Sequence, residues 1–319
     1  MAAAKIQVMP TESDQAYASL KGLLQCRLLA NRLNLAKQRK ILSTQSGGQS
    51  SKFRGRGIDF SEVRAYQAGD DIRSIDWRVT ARTGKPHTKL YVEERERPAL
   101  VIADQSQSMF FGSQTRFKSV LCAHAATLLA WSILARGDRL GGIIFSDTGQ
   151  LDIRPRRSHH TVLKFIETLL AFNGALNATA SPDKTFSLAN SLEQARRILK
   201  PGSELFIVSD FSTFDDESEQ HLFQLARHND IVALMIYDRL DEQLPPPGFY
   251  AISDGNDTYQ AGLYSRSLRD IWQGLFREKL KHLQQRFDRL QIPLVKIRTD
   301  DDLLTRLQSG LGISKSVGK

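Results

Sequence analysis

The sequence predicts an α/β fold: a doubly wound, mostly parallel sheet preceded by an N-terminal helix and a small β-rich region. Beyond Pro98, apolar runs of strand length alternate with helical patterns, as expected when helices cover both faces of a parallel sheet. The first of those runs leads straight into the polar cluster at Asp104, as a strand does at the carboxyl edge where such sheets gather function. With 319 residues, 41% of them apolar, the chain is long enough for a large domain and a smaller appendage.

From Asp14 to about Leu42, Tyr17, Leu20, Leu24, Leu28 and Leu35 recur at near-helical spacing among Lys21, Arg27, Arg32, Lys37, Arg39 and Lys40. One amphipathic helix is expected there, packing its leucine face on the sheet domain. The stretch STQSGGQSSKFRGRG (43 to 57) is too poor in apolar residues to pack and reads as a linker. Residues 58 to 97 combine Gly, Asp, Arg and aromatics, which predicts short strands and tight turns, with a turn at Gly69-Asp70 and a strand in KPHTKLYVEERER. Tyr66 and Trp77 are expected to fill a small core. The expected divisions are therefore 1–57, 58–97 and 98–319.

In the last segment strands are expected at 99–104, 139–146, 204–210, 230–238 and 292–298. Helices are expected at 116–135, 159–172, 188–200, 220–228 and about 266–291, the first of them apolar almost all round. PPPGFYAISDGNDTYQAG (245 to 262) predicts a β-hairpin turning at Asp254 to Asn256. There is no internal repeat.

Charge is lopsided. Of the formal net +9, residues 1 to 97 hold 18 basic against 10 acidic side chains, leaving 26 against 25 for the rest. A nucleic-acid or anionic-surface reading must therefore rest on the N-terminal part, which carries no known RNA motif. Cys26 and Cys122 have no CxxC spacing, so neither a disulfide framework nor a zinc site is implied. The first fifteen residues lack a basic-then-apolar pattern, and Val120 to Ala135 contains His124 and is read as too short to span a bilayer. A cytoplasmic protein without a transmembrane segment is expected.

The chemistry concentrates in Asp104-Gln105-Ser106-Gln107-Ser108. A carboxylate and two hydroxyls at alternate positions can face one point and offer the hard oxygen donors that Mg²⁺ or Mn²⁺ prefers. Asp210, ending FIVSD on another strand, supplies a second carboxylate. Because hydroxyls add little charge, a cation so held stays electrophilic and can accept a carboxylate from a partner protein. Each half has a structural alternative, helix capping for DQSQS and a strand-end turn for Asp210. Their coincidence favours the cation.

DQSQSM resembles the D-x-S-x-S motif of the metal-ion-dependent adhesion site in von Willebrand factor A-type domains, over roughly Pro98 to Gln308. The resemblance implies that Asp104, Ser106 and Ser108 hold the metal directly or through water and that Asp210 is the distal carboxylate. It also implies a threonine-type ligand in the loop before the helix that precedes Asp210, here Thr185, with Ser187 and Thr179 as alternatives. GRGIDFSEVRAYQAGDDIRSIDWRVTAR, from Gly55 to Arg82, is similar to the signature of the bacterial domain of unknown function 58 family, which stands just before an A-type domain. That resemblance implies a partner of the MoxR-type AAA+ ATPases, in protein remodelling or metal insertion. Within the signature, Arg64, Tyr66, Asp70, Arg73, Asp76 and Trp77 are candidates for a structural or partner-binding surface. Alternating charges at close range more often fix turns.

Enzyme readings are weaker. GRG at 55–57 lacks the third glycine of a dinucleotide loop, and GxxxxGK[ST] is absent. Metal-dependent phosphoryl transfer by Asp104 would want a second Asp two positions on, where Ser106 stands. His159 and His160 open a helix, point in different directions, and are expected to be solvated.

Overall fold

In chain order the elements are α1 (Leu20–Ala30), β1 (Ile58–Ala65), α2 (Trp77–Thr83), β2 (His87–Glu93), β3 (Pro98–Asp104), α3 (Lys118–Ala135), β4 (Arg139–Phe145), β5 (Gln150–Arg156), α4 (His159–Ala175), α5 (Leu188–Ile198), β6 (Glu204–Ser209), α6 (Asp216–Ala226), β7 (Asp230–Tyr237), α7 (Arg239–Glu242), β8 (Phe249–Ser253), β9 (Thr258–Gly262), α8 (Arg266–Arg289), β10 (Leu294–Arg298) and α9 (Leu303–Gly310). This computed structural model describes residues 15–33, 35, 58–67, 72, 75–93, 96–177, 185–253 and 258–312. Two compact units result, Met1–Gln45 with Arg97–Lys319, and Ser46–Glu96. The N-terminal helix, expected to pack on the sheet domain, lies in the same unit as that domain.

The larger unit is built on a six-stranded sheet of order β10-β7-β6-β3-β4-β5, parallel except for β5, which runs antiparallel along β4. This is the expected doubly wound, mostly parallel α/β sheet. Strand periodicity splits the core in two. Ala99, Val101 and Ala103 of β3 face the layer of α1, α3, α4 and α9, whereas Leu100 and Ile102 face α5, α6 and α8. Because both faces are covered, β3 and β6 read as continuous apolar runs. Gly142 of β4 lies so near Phe165 of α4 that a Cβ would sit 2.4 Å from the ring. Only glycine lets that helix approach.

Helix α3 is buried on nearly every side, as a helix apolar all round must be. Its 18 residues also meet the length and hydropathy of a membrane-crossing segment, which corrects the expectation that it is too short. Its place is in the core, against the sheet, α1 and α4. Helix α1 is shorter than the expected 14–42, starting where the Ser19 hydroxyl caps Gly22 N. Its buried face is also not the expected one. Leu23, Cys26 and Ala30 turn inward, while Leu20, Leu24 and Leu28 are exposed, Leu28 at 71%. Small side chains allow close approach to α3, where Ser132 Oγ donates to Ala30 O at 3.3 Å. The expected hairpin is present as β8 and β9, with its turn at Asp254 to Asn256 outside the described residues. His159 and His160 are exposed, as expected.

The smaller unit pairs β1 with β2 antiparallel, with an irregularity between Phe60 and Glu62. Where short strands and tight turns were expected, α2 forms. Asp76 Oδ1 accepts from Arg78 N and Val79 N at its start, and Gly84, at φ 70°, ends it. Trp77 is 67% exposed and therefore does not fill a core. It is the first residue of a short helix that buries none of its side chains.

Candidate metal centre

The carboxyl ends of β3 and β6 lie side by side, so Asp104 and Asp210 meet. Alternation within Asp104–Ser108 divides the labour. Gln105 and Gln107 hold the loop: Gln105 Nε2 donates to Ser119 O (3.0 Å), and Gln105 Oε1 accepts from Asn173 Nδ2 (2.9 Å). Gln107 N donates to Asp147 Oδ2 (2.5 Å). The even-numbered residues are left for the site. Asp104 Oδ1 accepts from Ser106 N (2.8 Å) and Oδ2 from Ser209 Oγ (2.5 Å). Ser106 Oγ lies 3.1 Å from Ser108 Oγ, and Ser212 Oγ donates to Ser108 Oγ at 3.0 Å. Asp104 and Ser106 are buried, Ser108 is half-buried and Ser212 is exposed, so the hydroxyl row climbs from the core to solvent.

Asp210 Oδ1 accepts from Ser212 N (2.9 Å), a turn made possible by Phe211 in the left-handed region at φ 52°. Such backbone is costly for a bulky residue and persists where packing over-determines it. Phe211 is anchored by rings, with centroids 5.2 Å from Phe287 and 6.1 Å from Phe214. Asp210 Oδ2 accepts from Lys118 Nζ at 2.9 Å, and that ammonium stands 3.6 Å from Asp241 Oδ2.

The two carboxyl groups are shifted in opposite directions. Burial, with the charge of Asp210 adding to it, raises Asp104 to about 7, although bonds from Ser106 and Ser209 pull the other way. Burial would raise Asp210 too, but the Lys118 ammonium and the Ser212 donors hold it below the ordinary carboxylate value. The Lys118 amine, which burial would push down, is pushed up by Asp210 and Asp241. Asp104 is thus a buried carboxylate beside a negative neighbour. Added positive charge would be most stabilising there.

The donors are two carboxylates and the Ser106, Ser108 and Ser212 hydroxyls, all hard oxygens, which suits Mg²⁺ or Mn²⁺. Among the described residues no group of three or more His, Cys, Asp or Glu is placed to hold an ion. Hydroxyls and water would have to complete the shell. Thr185 is exposed, and its amide donates to Asp147 O at 2.9 Å, beside the loop that holds Gln107. Ser187 Oγ donates to Asn190 Oδ1 (3.0 Å) at the start of α5, and Thr179 lies outside the described residues. An open pocket of about 350 Å³ adjoins the site between Gln107, Asp147, Gly149, Phe172 and Leu176.

Lys118, Ser209 and Ser212 were not foreseen. Ser212 carried a signal, standing two residues after Asp210 as Ser106 stands after Asp104. Lys118 carried another, the lone Lys or Arg of an apolar helix. Of the signature residues, Asp76 caps α2 and Tyr66 N donates to Pro86 O at 2.9 Å. Arg64 Nη1 donates to Ala65 O at 3.0 Å. Asp70 and Arg73 lie outside the described residues.

An uncharacterized protein of Mycobacterium bovis, Mb1516, is 27% identical over 276 residues, covering 85% of this chain and 84% of its own. The uncharacterized protein Rv1480 of Mycobacterium tuberculosis matches to the same extent. Among solved structures, BatB from Bacteroides thetaiotaomicron is 11% identical with a TM-score of 0.43, covering 68% of this chain and 97% of that one. The SpRpn10 VWA domain is 13% identical with a TM-score of 0.39, covering 70% of this chain and all of its own. Residues 62–281 match the family described as Protein of unknown function DUF58, and since that span is well over half of the sequence, the chain belongs to the DUF58 family.

Proposed function

We propose that this chain is a divalent-cation-dependent protein-interaction module of the cytoplasm. Asp104, Ser106, Ser108 and Asp210, joined by the unforeseen Ser212, supply the oxygens for Mg²⁺ or Mn²⁺, with Thr185 as a further candidate. A cation held mainly by neutral oxygens retains the electrophilicity to accept an acidic side chain of a partner protein. The observation that carries the reading is the pairing of a buried, up-shifted Asp104 with a row of hydroxyls opening to solvent at Ser212. The pocket beside Gln107 offers room for an apolar residue next to the partner's carboxylate. A MoxR-type AAA+ ATPase is the partner that the family resemblance suggests.

Phosphoryl transfer by Asp104 is disfavoured because Ser106 stands two positions on, where that chemistry wants a second Asp. Nucleic-acid binding through the basic N-terminal part is disfavoured because that part carries no known RNA motif. The test is capture of partners from cell extract by wild type and Asp104→Ala, each with and without a chelator. Wild-type capture should be lost on chelation and in the variant. Equal capture under all four conditions sinks the proposal, and loss with rising salt alone favours a polyanion.

A further inference from the structure

Lys118 has a side chain only 7% exposed at the start of an otherwise uncharged helix, save for His124. A buried ammonium is stable only beside counter-charge. Lys118 has two such partners, on opposite sides of a boundary. Asp210, at 2.9 Å, belongs to the candidate metal centre, whereas Asp241, at 3.6 Å and 33% exposed, lies outside it on α7. The distal carboxylate of that centre is therefore already occupied by a cation of the chain itself.

Resting on the metal reading above, we infer that Lys118 is a built-in competitor of the divalent cation: ammonium and ion alternate at Asp210, and entry of the ion hands Lys118 to Asp241. Two positive charges cannot share the Oδ2 of one buried carboxylate without repulsion that water does not screen there. Lys118 needs little travel to change partner, since both acceptor oxygens already lie within 4 Å of its Nζ. Asp241 Oδ2 also accepts from Asp238 N at 2.7 Å, and Trp272 Nε1 of α8 donates to the neighbouring Leu240 O at 3.0 Å. Occupancy of the centre is thereby linked to α7 and to the face of α8 that exposes Ile271, Trp272 and Leu275.

The test is Mn²⁺ titration of the purified chain, with free Mn²⁺ read by electron paramagnetic resonance, for wild type, Asp104→Ala, Lys118→Met, Lys118→Gln, Asp241→Asn and Lys118→Met/Asp241→Asn. Removing the competitor should tighten Mn²⁺ binding about tenfold or more, the scale of coupling between two ligands of one site. Removing the alternative acceptor should weaken binding in wild type and much less in the Lys118→Met background. Mn²⁺ should also raise the melting temperature of Lys118→Met more than that of wild type, because the variant leaves Asp210 without its counter-charge. Saturable binding by Lys118→Met alone would still support the proposal, as the extreme of competition. Equal or weaker binding by both Lys118 variants, with Asp104→Ala abolishing it, overturns the competition while the metal reading stands. No saturable binding by wild type or by any variant overturns the metal reading itself. If neither Lys118 variant folds, an Asp241→Asn affinity equal to wild type overturns the competition.

Discussion

Asp238, at the end of β7, accepts from both the amide and the hydroxyl of Ser113, at 3.0 and 2.5 Å. This joins the loop after the candidate centre to a neighbouring strand end. Thr299 Oγ1 (2.6 Å) and Leu240 N (2.9 Å) complete the shell of a side chain with no exposure.

Burial would raise the Asp238 carboxyl, but these donors outweigh it and hold the group below its ordinary 3.8. A folded-state value below the unfolded one contributes stability above the unfolded value, lost as pH falls through the folded one. Asp238→Asn should cost about 1.5–3 kcal/mol at pH 7, the scale of a charged hydrogen-bonded group. Urea unfolding at pH 7 and pH 3 checks this. The gap between wild type and variant should narrow at the lower pH.

Asp104 runs the other way. Its carboxyl is raised to about 7 by burial and by Asp210, whose own charge is balanced by Lys118. Without a cation its ionisation opposes folding, so stability should decline as pH rises from about 4 to about 7 and then level. Asp104→Asn should remove that slope. Because a metal takes the deprotonated form, Mn²⁺ affinity should fall about tenfold per pH unit below 7 and be flat above it. Mn²⁺ affinity that does not change between pH 5.5 and 7 contradicts the assignment.

Gly142→Ala places a methyl against the Phe165 ring, in a core that cannot yield without moving α4. Overpacking of this kind costs about 1–3 kcal/mol. Phe165→Leu in the same chain should recover part of the loss, read as melting temperature. Simple addition of the two losses would mean that the contact is not the cause.

The layers and most strands were legible because burial on both faces leaves apolar runs such as ALVIAD and ELFIVS, which admit few other readings. β5 was not, since Ile153 is its one buried apolar side chain and Pro155 interrupts it, as befits an edge. The inward face of α1 was misread for a different reason. Spacing picks out Leu20, Leu24 and Leu28, whereas packing on α3 selects Leu23 together with Gly22, Cys26 and Ala30, and three small residues beside one leucine carry no strong pattern. That Asp104 and Asp210 lie close together, with Ser106 and Ser108 beside them, was readable because both carboxylates close apolar strand runs. Lys118 was hidden because its role depends on where a helix from elsewhere in the chain begins.

At the opposite edge of the sheet, Arg136 pairs with both Asp138 and Glu204, and all three side chains are nearly buried. Asp138 Oδ1 also accepts from Arg97 N at 2.8 Å, fixing the entry to β3. Arg136→Met leaves two buried carboxylates without their cation, a loss on the order of 3–5 kcal/mol. Replacing both acids as well, in Arg136→Met/Asp138→Asn/Glu204→Gln, removes the stranded charge and should return much of the stability. Because these residues sit at the amino ends of the strands, Mn²⁺ affinity of the folded variants should match wild type. A changed affinity would mean that the two edges of the sheet are coupled through β3.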